Sequence, residues 1–402
     1  PYAVTLIMKL VDAFIRASSA GEEEEDSSMA AIKCIEALQA IVQSVAEKQE
    51  NALQRAADVR ALLPYVFPAF TNMFEGHRIE FFEDLLELLS LVVYYSAVNG
   101  QVPIADELWD MFPLFFSEFD KWAAHDYIKN ILTPIENYIS NDTEQFLTRS
   151  YNGVSYVQLL YDLILKLWDD LEDDLEAAEG AKIAEVLILY CEGRIDALLP
   201  ALLEKIVVRL NSAEGVKIKV LLISNIAACL FSNAALTLDV LDKRMKVCQP
   251  LFSLWLSLLD KFVRVHDKKL TLLALSSVLR QPLEHLPESI KNGIPQLVHF
   301  CIQLVSKLKV DRDQRFKNSS PPFAGLTFRK EEDRDFNDEE DADANAIDDE
   351  YIERIAQEAG VDLQKLAAAV NQHGYDEDEE EDFLEMDDEG DFETPIDDVD
   401  ET

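Results

Sequence analysis

Over about its first 310 residues the chain repeats apolar side chains at three- and four-residue spacing, and this leaves little but helices open to it. Val4, Leu6, Ile7, Leu10, Val11, Phe14 and Ile15 form one such stripe. Ile32, Ile35, Leu38, Ile41, Val42 and Val45 form a second, and Phe81, Phe82, Leu85, Leu86, Leu89 and Val92 a third. Strict alternation between turn pairs is scarce, so strands are not expected. Breakers are read at Gly76, Asn99-Gly100, Asn152-Gly153, Gly193, Gly215, Gln281-Pro282 and Asn292-Gly293.

A slower rhythm overlies the helical one. Pro64, Pro113, Pro200, Pro250 and Pro295 each fall in an apolar helix that opens a helix pair, at separations of 49, 87, 50 and 45 residues. Halving the longest gap, with an unmarked helix near Leu159, gives a unit in the mid-forties, within the ~40–47 residues of HEAT repeats. The prolines are expected to bend the outer helix of each pair. A lone helix pair cannot hide its apolar stripe, so neighbours must stack, and six to seven pairs fit before residue 310. The expected fold is an all-α HEAT-repeat solenoid over residues 1–310. An acidic linker (311–349), a short amphipathic helical element (350–373) and an acidic disordered tail (374–402) follow.

Charge divides the chain in the same place. Residues 331–402 hold 32 acidic and 3 basic side chains, so this stretch carries −29 of the total −41. It repels phosphates and anionic lipid, and its natural partners are Lys/Arg-rich proteins. Direct nucleic-acid binding is disfavoured for want of a basic face. The uncharged run Val220–Leu238 holds Ser224, Asn225, Ser232, Asn233 and Thr237, and Asn233 reads as a helix end. A helix buried within the array fits it better than a membrane span. Cys34, Cys191, Cys229, Cys248 and Cys301 are scattered, as small buried residues in a reducing compartment would be. Pro1 stands where Met would, without a leader pattern behind it, and the chain reads as part of something longer.

No phosphate-binding loop, dinucleotide fingerprint, zinc-protease motif or nucleophile elbow occurs, and His125-Asp126 and His266-Asp267 are adjacent pairs rather than triads. No enzyme, cofactor or metal site is therefore expected. The candidates are surfaces for protein binding. Glu22, Glu23, Glu24, Glu25 and Asp26 make an acidic loop between helices. Glu80, Glu83, Asp84 and Glu87 occupy the polar side of a second-of-pair helix, the one that lines the concave side of a HEAT array and can hold basic segments. Asp376, Glu377, Asp378, Glu379, Glu380, Glu381 and Asp382 form a tethered polyanion, punctuated by Phe383 and Phe392 as docking anchors. Tyr351, Ile352, Ile355, Ala359, Leu363, Leu366, Ala367 and Val370 make an apolar stripe suited to self-docking. Lys307, Lys309, Arg312, Arg315 and Lys317 form a basic patch before the tail, and Ser319-Ser320-Pro321-Pro322 marks the linker. Each has a plainer alternative as a solvated face or loop.

Three segments together carry a resemblance: Gly193-Arg194-Ile195-Asp196-Ala197-Leu198-Leu199-Pro200, the run from Phe262-Val263-Arg264-Val265-His266-Asp267 to Leu275, and the tail with Asp348-Asp349-Glu350-Tyr351-Ile352-Glu353-Arg354 and Thr394-Pro395-Ile396-Asp397-Asp398. In this order the chain resembles the C-terminal part of the importin-β superfamily, closest to importins seven and eight and their fungal relatives. The resemblance implies a nuclear transport receptor, shuttling between cytoplasm and nucleus. It implies basic cargo such as histones or ribosomal proteins, Phe-Gly nucleoporins in grooves between convex helices, a possible second importin at the tail, and cargo release on the GTP form of the Ran GTPase. The main Ran surface of such receptors lies in N-terminal repeats absent from this sequence. The competing readings are a HEAT scaffold or histone chaperone without pore contact, and an export receptor.

Overall fold

The computed structural model describes residues 2–19, 25–76, 79–119, 127–169, 173–318 and 395–396. The chain divides into two compact units, residues 1–308 with 390–402, and residues 309–389. Every described helix begins in the first unit.

In chain order the helices are α1 (Tyr2–Ser18), α2 (Glu25–Glu47), α3 (Ala52–Arg60), α4 (Leu63–Gly76), α5 (Phe82–Ser96), α6 (Asp106–Trp109), α7 (Phe112–Phe119), α8 (Ile128–Asn141), α9 (Thr143–Thr148), α10 (Tyr156–Leu167), α11 (Asp174–Tyr190), α12 (Leu199–Ser212), α13 (Val216–Asp239), α14 (Cys248–Ser257), α15 (Val265–Leu279) and α16 (Glu288–Asn318). The described strands are β1 (Ser150–Tyr151) and β2 (Val154–Ser155), a two-residue hairpin whose turn places Asn152 (φ 50°) and Gly153 (φ 83°) in the left-handed region.

The helices sort into two rows. Helices α2, α5, α8, α11, α13 and α15 pack on one another in succession and make a continuous inner row. Helices α1, α4, α7, α10, α12, α14 and α16 alternate with these along the chain and make the outer row, in which α1 packs on α4 and α7 on α10. The inner helices begin at Glu25, Phe82, Ile128, Asp174, Val216 and Val265, a recurrence of 42 to 57 residues. Three of the five intervals fall within the ~40–47 residues of HEAT-type units, and all are longer than the roughly 34 residues of a TPR unit.

The five rhythmic prolines all lie in outer helices, but their role differs from the one expected. Pro64, Pro113 and Pro200 are the second residues of α4, α7 and α12, and Pro250 is the third of α14. There the missing N–H has no intrahelical acceptor in any case, and the fixed φ starts the helix instead of bending it. Pro295 does lie inside its helix, as do Pro68 in α4 and Pro134 in α8, which lie outside the rhythm. Asn292-Gly293 is not a break either: α16 runs through it, because helix-forming residues on both sides outweigh the modest cost of one glycine. Gly100 (φ 72°) and Gly193 (φ 70°) do supply turns, and Gly215 stands at the N-cap of α13.

Helices α11 and α13 show why their amphipathic pattern is weak. Every residue of α11 from Ala177 to Leu189 is buried. A helix covered on all sides needs no polar face. The run Val220–Leu238 belongs to α13, long and apolar enough to cross a membrane by composition, yet packed here against α11, α12 and α15. Asn233 interrupts it (φ −150°, ψ 84°), and its side-chain oxygen accepts from the Leu236 N–H to restart the helix.

Some of the polar residues left inside are paired between repeats. Arg209 of α12, its side chain 1% exposed, donates to Asp174 Oδ1 at 2.6 Å and to the Asp173 carbonyl at 2.9 Å. Burial alone would raise the Asp174 carboxyl. Hydrogen bonds from the Gly215 N–H, from Arg209 and from the Glu214 N–H outweigh it and hold the group below the usual range. One carboxylate thus joins α11, α12 and the start of α13.

At Gly180 the glycine is required by packing. A Cβ there would meet Trp168 Nε1 at 2.8 Å and Leu167 Cβ at 3.1 Å. Trp168 cannot yield, since its Nε1 donates to the Ala177 carbonyl at 3.0 Å and its ring is 5% exposed. Overpacking of this kind costs about 1–3 kcal/mol, against about 1 kcal/mol of helix propensity gained. Gly180→Ala is therefore expected to lower the urea midpoint of unfolding. An unchanged or higher midpoint would show that α10 and α11 can part freely.

Candidate functional site

Two kinds of surface stand out on the helical unit, one acidic on the inner row and one apolar on the outer row.

On the inner row, α5 and the short 3-10 turn before it present Glu80, Glu83 and Glu87 as exposed side chains, with Asp84 half-buried among them. Glu83 and Asp84 sit in the first turn of α5, where the helix dipole favours anions. That explains two of the four acids. Glu87 lies a turn further on, and packing of α2 against α5 adds Glu36, which the linear sequence does not associate with them. Gln39 of α2 donates to the Asp84 carbonyl at 2.9 Å and to Glu87 Oε2 at 3.2 Å, fixing the two helices in register. Asp84 records the crowding: its carboxyl is raised first by burial, then by the charges of Glu83, Glu36 and Glu87. Lys33 answers only at one edge, pairing with Glu36 at 2.7 Å with both side chains exposed.

An acid whose folded value is raised disfavours the folded state once it ionises. That cost is absent where Asp84 is protonated in both states, and it develops as pH rises through the carboxylate range. Asp84→Asn is accordingly expected to raise the unfolding midpoint at pH 7 and to leave it unchanged at pH 3. A gain of equal size at both pH values would assign the effect to packing.

On the outer row a groove of about 1060 Å³ runs over α4, between α1 and the start of α6. Its floor is Ile15, Leu63, Pro64, Phe67 and Pro68, with Asn72 and Arg60 at the rim. Pro68 cannot donate within α4, and its ring stands exposed beside the half-buried Phe67, which meets Phe70 edge-on at 6.4 Å. The rim is fixed by Ser18 Oγ donating to Asn72 Oδ1 at 3.2 Å and by Arg60 Nε donating to the Ser96 carbonyl at 2.8 Å. A second groove of about 590 Å³ lies between α14 and α16, floored by Phe252, Leu256, Ile290, Leu297 and Phe300. Gly293 lines it, so the residue read from sequence as a break instead leaves room in a groove wall.

These surfaces suit protein binding. Among the described residues no group of three or more His, Cys, Asp or Glu could hold a metal ion. His266 Nε2 lies 2.7 Å from Glu185 Oε1, both buried, while Asp267 is bound by Arg264. The His266-Asp267 pair is thus split between two structural contacts. Burial raises the thiol of Cys191 to about 12 and that of Cys248 to about 11, values that leave both protonated at neutral pH.

A family model described as importin-11-like, TPR repeats, matches residues 62–383, about four fifths of the chain. The chain belongs to the importin-β family. Within that family its relatives include a probable importin-7 homolog of Dictyostelium discoideum, 28% identical over all of this chain and 39% of that protein. An importin beta-like SAD2 homolog of Arabidopsis thaliana is 29% identical over 77% of this chain and 30% of its own length. Human importin-8 is 25% identical over 78% of this chain and 30% of its own length. The chain therefore spans well under half of the importins it matches. No solved structure matches it.

Of the residues singled out from sequence in this importin-family chain, the structure gathers Glu80, Glu83, Asp84 and Glu87 on one helix end. Glu25 and Asp26 open α2, while Glu22, Glu23 and Glu24 lie outside the described residues. The run Asp376–Asp382, Phe383, Phe392, the stripe Tyr351–Val370 and His125-Asp126 also lie outside them. In the basic patch, Lys307 pairs with Asp260 at 2.6 Å, so it is tied to the end of the array, and Lys309 is exposed. The resemblance implied grooves between outer helices, but the sequence assigned no residues to them. Their one sequence signal was the Pro64–Phe67–Pro68 cluster, in which aromatic and proline residues share an outer helix.

Proposed function

We propose that this chain is part of a nuclear transport receptor that works by reversible protein binding and is not an enzyme. The inner acidic face takes Lys/Arg-rich segments of cargo such as histones or ribosomal proteins, and the acidic residues beyond α16 assist. The outer grooves take Phe-Gly peptides of the pore, with Phe67 as a floor residue. Release on the GTP form of Ran, and shuttling between cytoplasm and nucleus, belong to the complete receptor.

The observation that carries this reading is the meeting of Glu36 from α2 with Glu83, Asp84 and Glu87 of α5; burial first, and then these charges, raise the Asp84 carboxyl. Such repulsion lowers the stability of the isolated chain, and a cationic partner would relieve it. The test is binding of a Lys/Arg-rich histone-tail peptide to the whole chain and to the variant Glu36→Lys/Glu87→Lys, which spares the two acids at the helix start. About a tenfold loss of affinity is expected at low salt, with the gap closing at high salt. Equal affinities would reject the face as a cargo surface. In a second arm, retention on immobilised Phe-Gly repeats should fall with Phe67→Asp. Retention of neither chain would favour a scaffold or histone chaperone without pore contact.

A further inference from the structure

Helices α14 and α16 are neighbours in the outer row, tied near both ends and open between. At one end the Ser289 hydroxyl and the Cys248 thiol are hydrogen-bonded. At the other, Lys307 of α16 donates to Asp260, just past α14, at 2.6 Å. The groove of about 590 Å³ lies between these ties. Ser289, Gly293, Leu297, Phe300 and Lys307 follow one another at helical spacing, so a single face of α16 looks across to α14.

Gly293 is in the middle of that face, and nothing in the fold requires a glycine there. It lies within α16, and its φ is outside the left-handed region. A Cβ added to it would meet only Gln296 Oε1, at 3.8 Å, an ordinary contact. Gly180 is the contrast, since there a Cβ would strike Trp168. In a helix interior glycine is less favourable than any residue but proline. The room at Gly293 is therefore left for something that is not the chain's own packing.

The lining says what that is. In a chain of net charge −41, none of the described residues lining this groove is charged. Phe252 and Phe300 form an apolar floor, and Gln249, Asn292 and Gln296 bring amides to it. A charged side chain entering here would lose water and find no partner. A peptide main chain would have its N–H and C=O groups met by the amides.

We propose that Gly293 is the cut-out through which the α14–α16 groove admits the main chain of an uncharged, extended peptide carrying a large apolar side chain. Residue 293 then decides whether the groove can be occupied, and the lining turns charged segments away. This rests on the reading of the outer grooves as Phe-Gly sites, and adds the residue that controls one of them. It also separates the two surfaces by their response to salt: the acidic inner face depends on it and this groove does not.

The test adds a peptide of Phe-Gly pairs spaced by Ser, Thr and Asn to the whole chain and follows hydrogen exchange. In the parent, amides of 249–257 and 289–300 should slow, with an affinity that changes less than about twofold between low and high salt. Gly293→Leu fills the cut-out from a helix that favours leucine, so its urea midpoint should match or exceed the parent's. Its affinity, read from the same amides, should fall at least about tenfold. Gly293→Ala adds one methyl group and should give an intermediate loss with a raised midpoint. The same peptide with Asp or Lys in place of Ser should leave these amides unprotected at high salt. Undiminished protection in Gly293→Leu, or equal protection by the charged peptides, would overturn the inference. If in the parent the peptide protects residues 63–72 and not 289–300, the inference also fails while the reading of the α4 groove stands. Protection at neither groove would reject that reading and this inference together.

Discussion

Arg264→Ala is expected to destabilise the helical unit by about 3–5 kcal/mol, the cost of leaving a buried carboxylate without its cation. The carboxylate is Asp267, 0% exposed in the first turn of α15. Arg264, at the N-cap position, grips it with both arms, Nε to Oδ2 at 3.0 Å and an Nη to Oδ1 at 2.7 Å. Ser224 of α13 donates to Oδ1 at 3.3 Å, so the pair also fastens two inner helices. Without the guanidinium, Asp267 keeps one long hydroxyl contact and the helix dipole, too little for an ion out of water. Urea unfolding measures the loss. In a stacked array the damage should be local, so amide exchange should quicken in α13 and α15 and not in α2 or α5. The double variant Arg264→Met/Asp267→Leu should recover most of the stability, because two apolar side chains leave no charge stranded. A loss below about 1 kcal/mol for Arg264→Ala would show that Asp267 is solvated in the folded chain.

A loss of similar size, about 3–5 kcal/mol, is expected for Trp109→Ala, for a different reason. Trp109 is 0% exposed and lies within 4.9 to 5.7 Å, centroid to centroid, of Tyr138, Phe112 and Tyr156. Arg149 stands over its ring at 5.5 Å. Tyr138 donates to the Leu108 carbonyl at 2.6 Å and Tyr156 to the Trp109 carbonyl at 3.1 Å, so the cluster also ties α8 and α10 to α6. Truncation leaves a cavity where side chains from several helices converge, and rigid rings cannot collapse into it. The indole Nε1 is buried with no acceptor. Trp109→Phe thus gives up volume but also relieves an unmet donor, and should cost less than about 1.5 kcal/mol. If both variants cost the same, the indole nitrogen would have a partner after all. Near-ultraviolet circular dichroism together with urea unfolding separates the outcomes.

These two sites show where sequence reasoning reaches and where it stops. Apolar spacing identified the helices because a helix repeats every 3.6 residues whatever it packs against. The prolines marked the outer row because four of the five start a helix, a local property, yet the bending role of those four was misjudged, since a few positions' shift from helix interior to first turn reverses the effect. Glu80, Glu83, Asp84 and Glu87 were legible as one group because they lie within eight residues of each other. Glu36 was not, for it joins them from the facing helix α2. Asp267 was read as half of a His-Asp pair, whereas its burial gives it to Arg264 and Ser224. The α4 groove needs Ile15, Phe67 and Glu107 together, residues more than ninety positions apart at the extremes.

The linear chain by itself indicated the helical class, the approximate length of the repeating unit, the separation of a strongly acidic end from a mildly charged body, and the kinship with importins. The first three follow from spacing and charge read along one dimension, and the kinship from the order of three particular segments. Which acids crowd together, which outer helices part to leave grooves and which ions lose their water were decided only when the helices stacked. Each depends on pairs of residues brought together by packing, and burial, which sets the strength of every such contact, is a property of the assembled array.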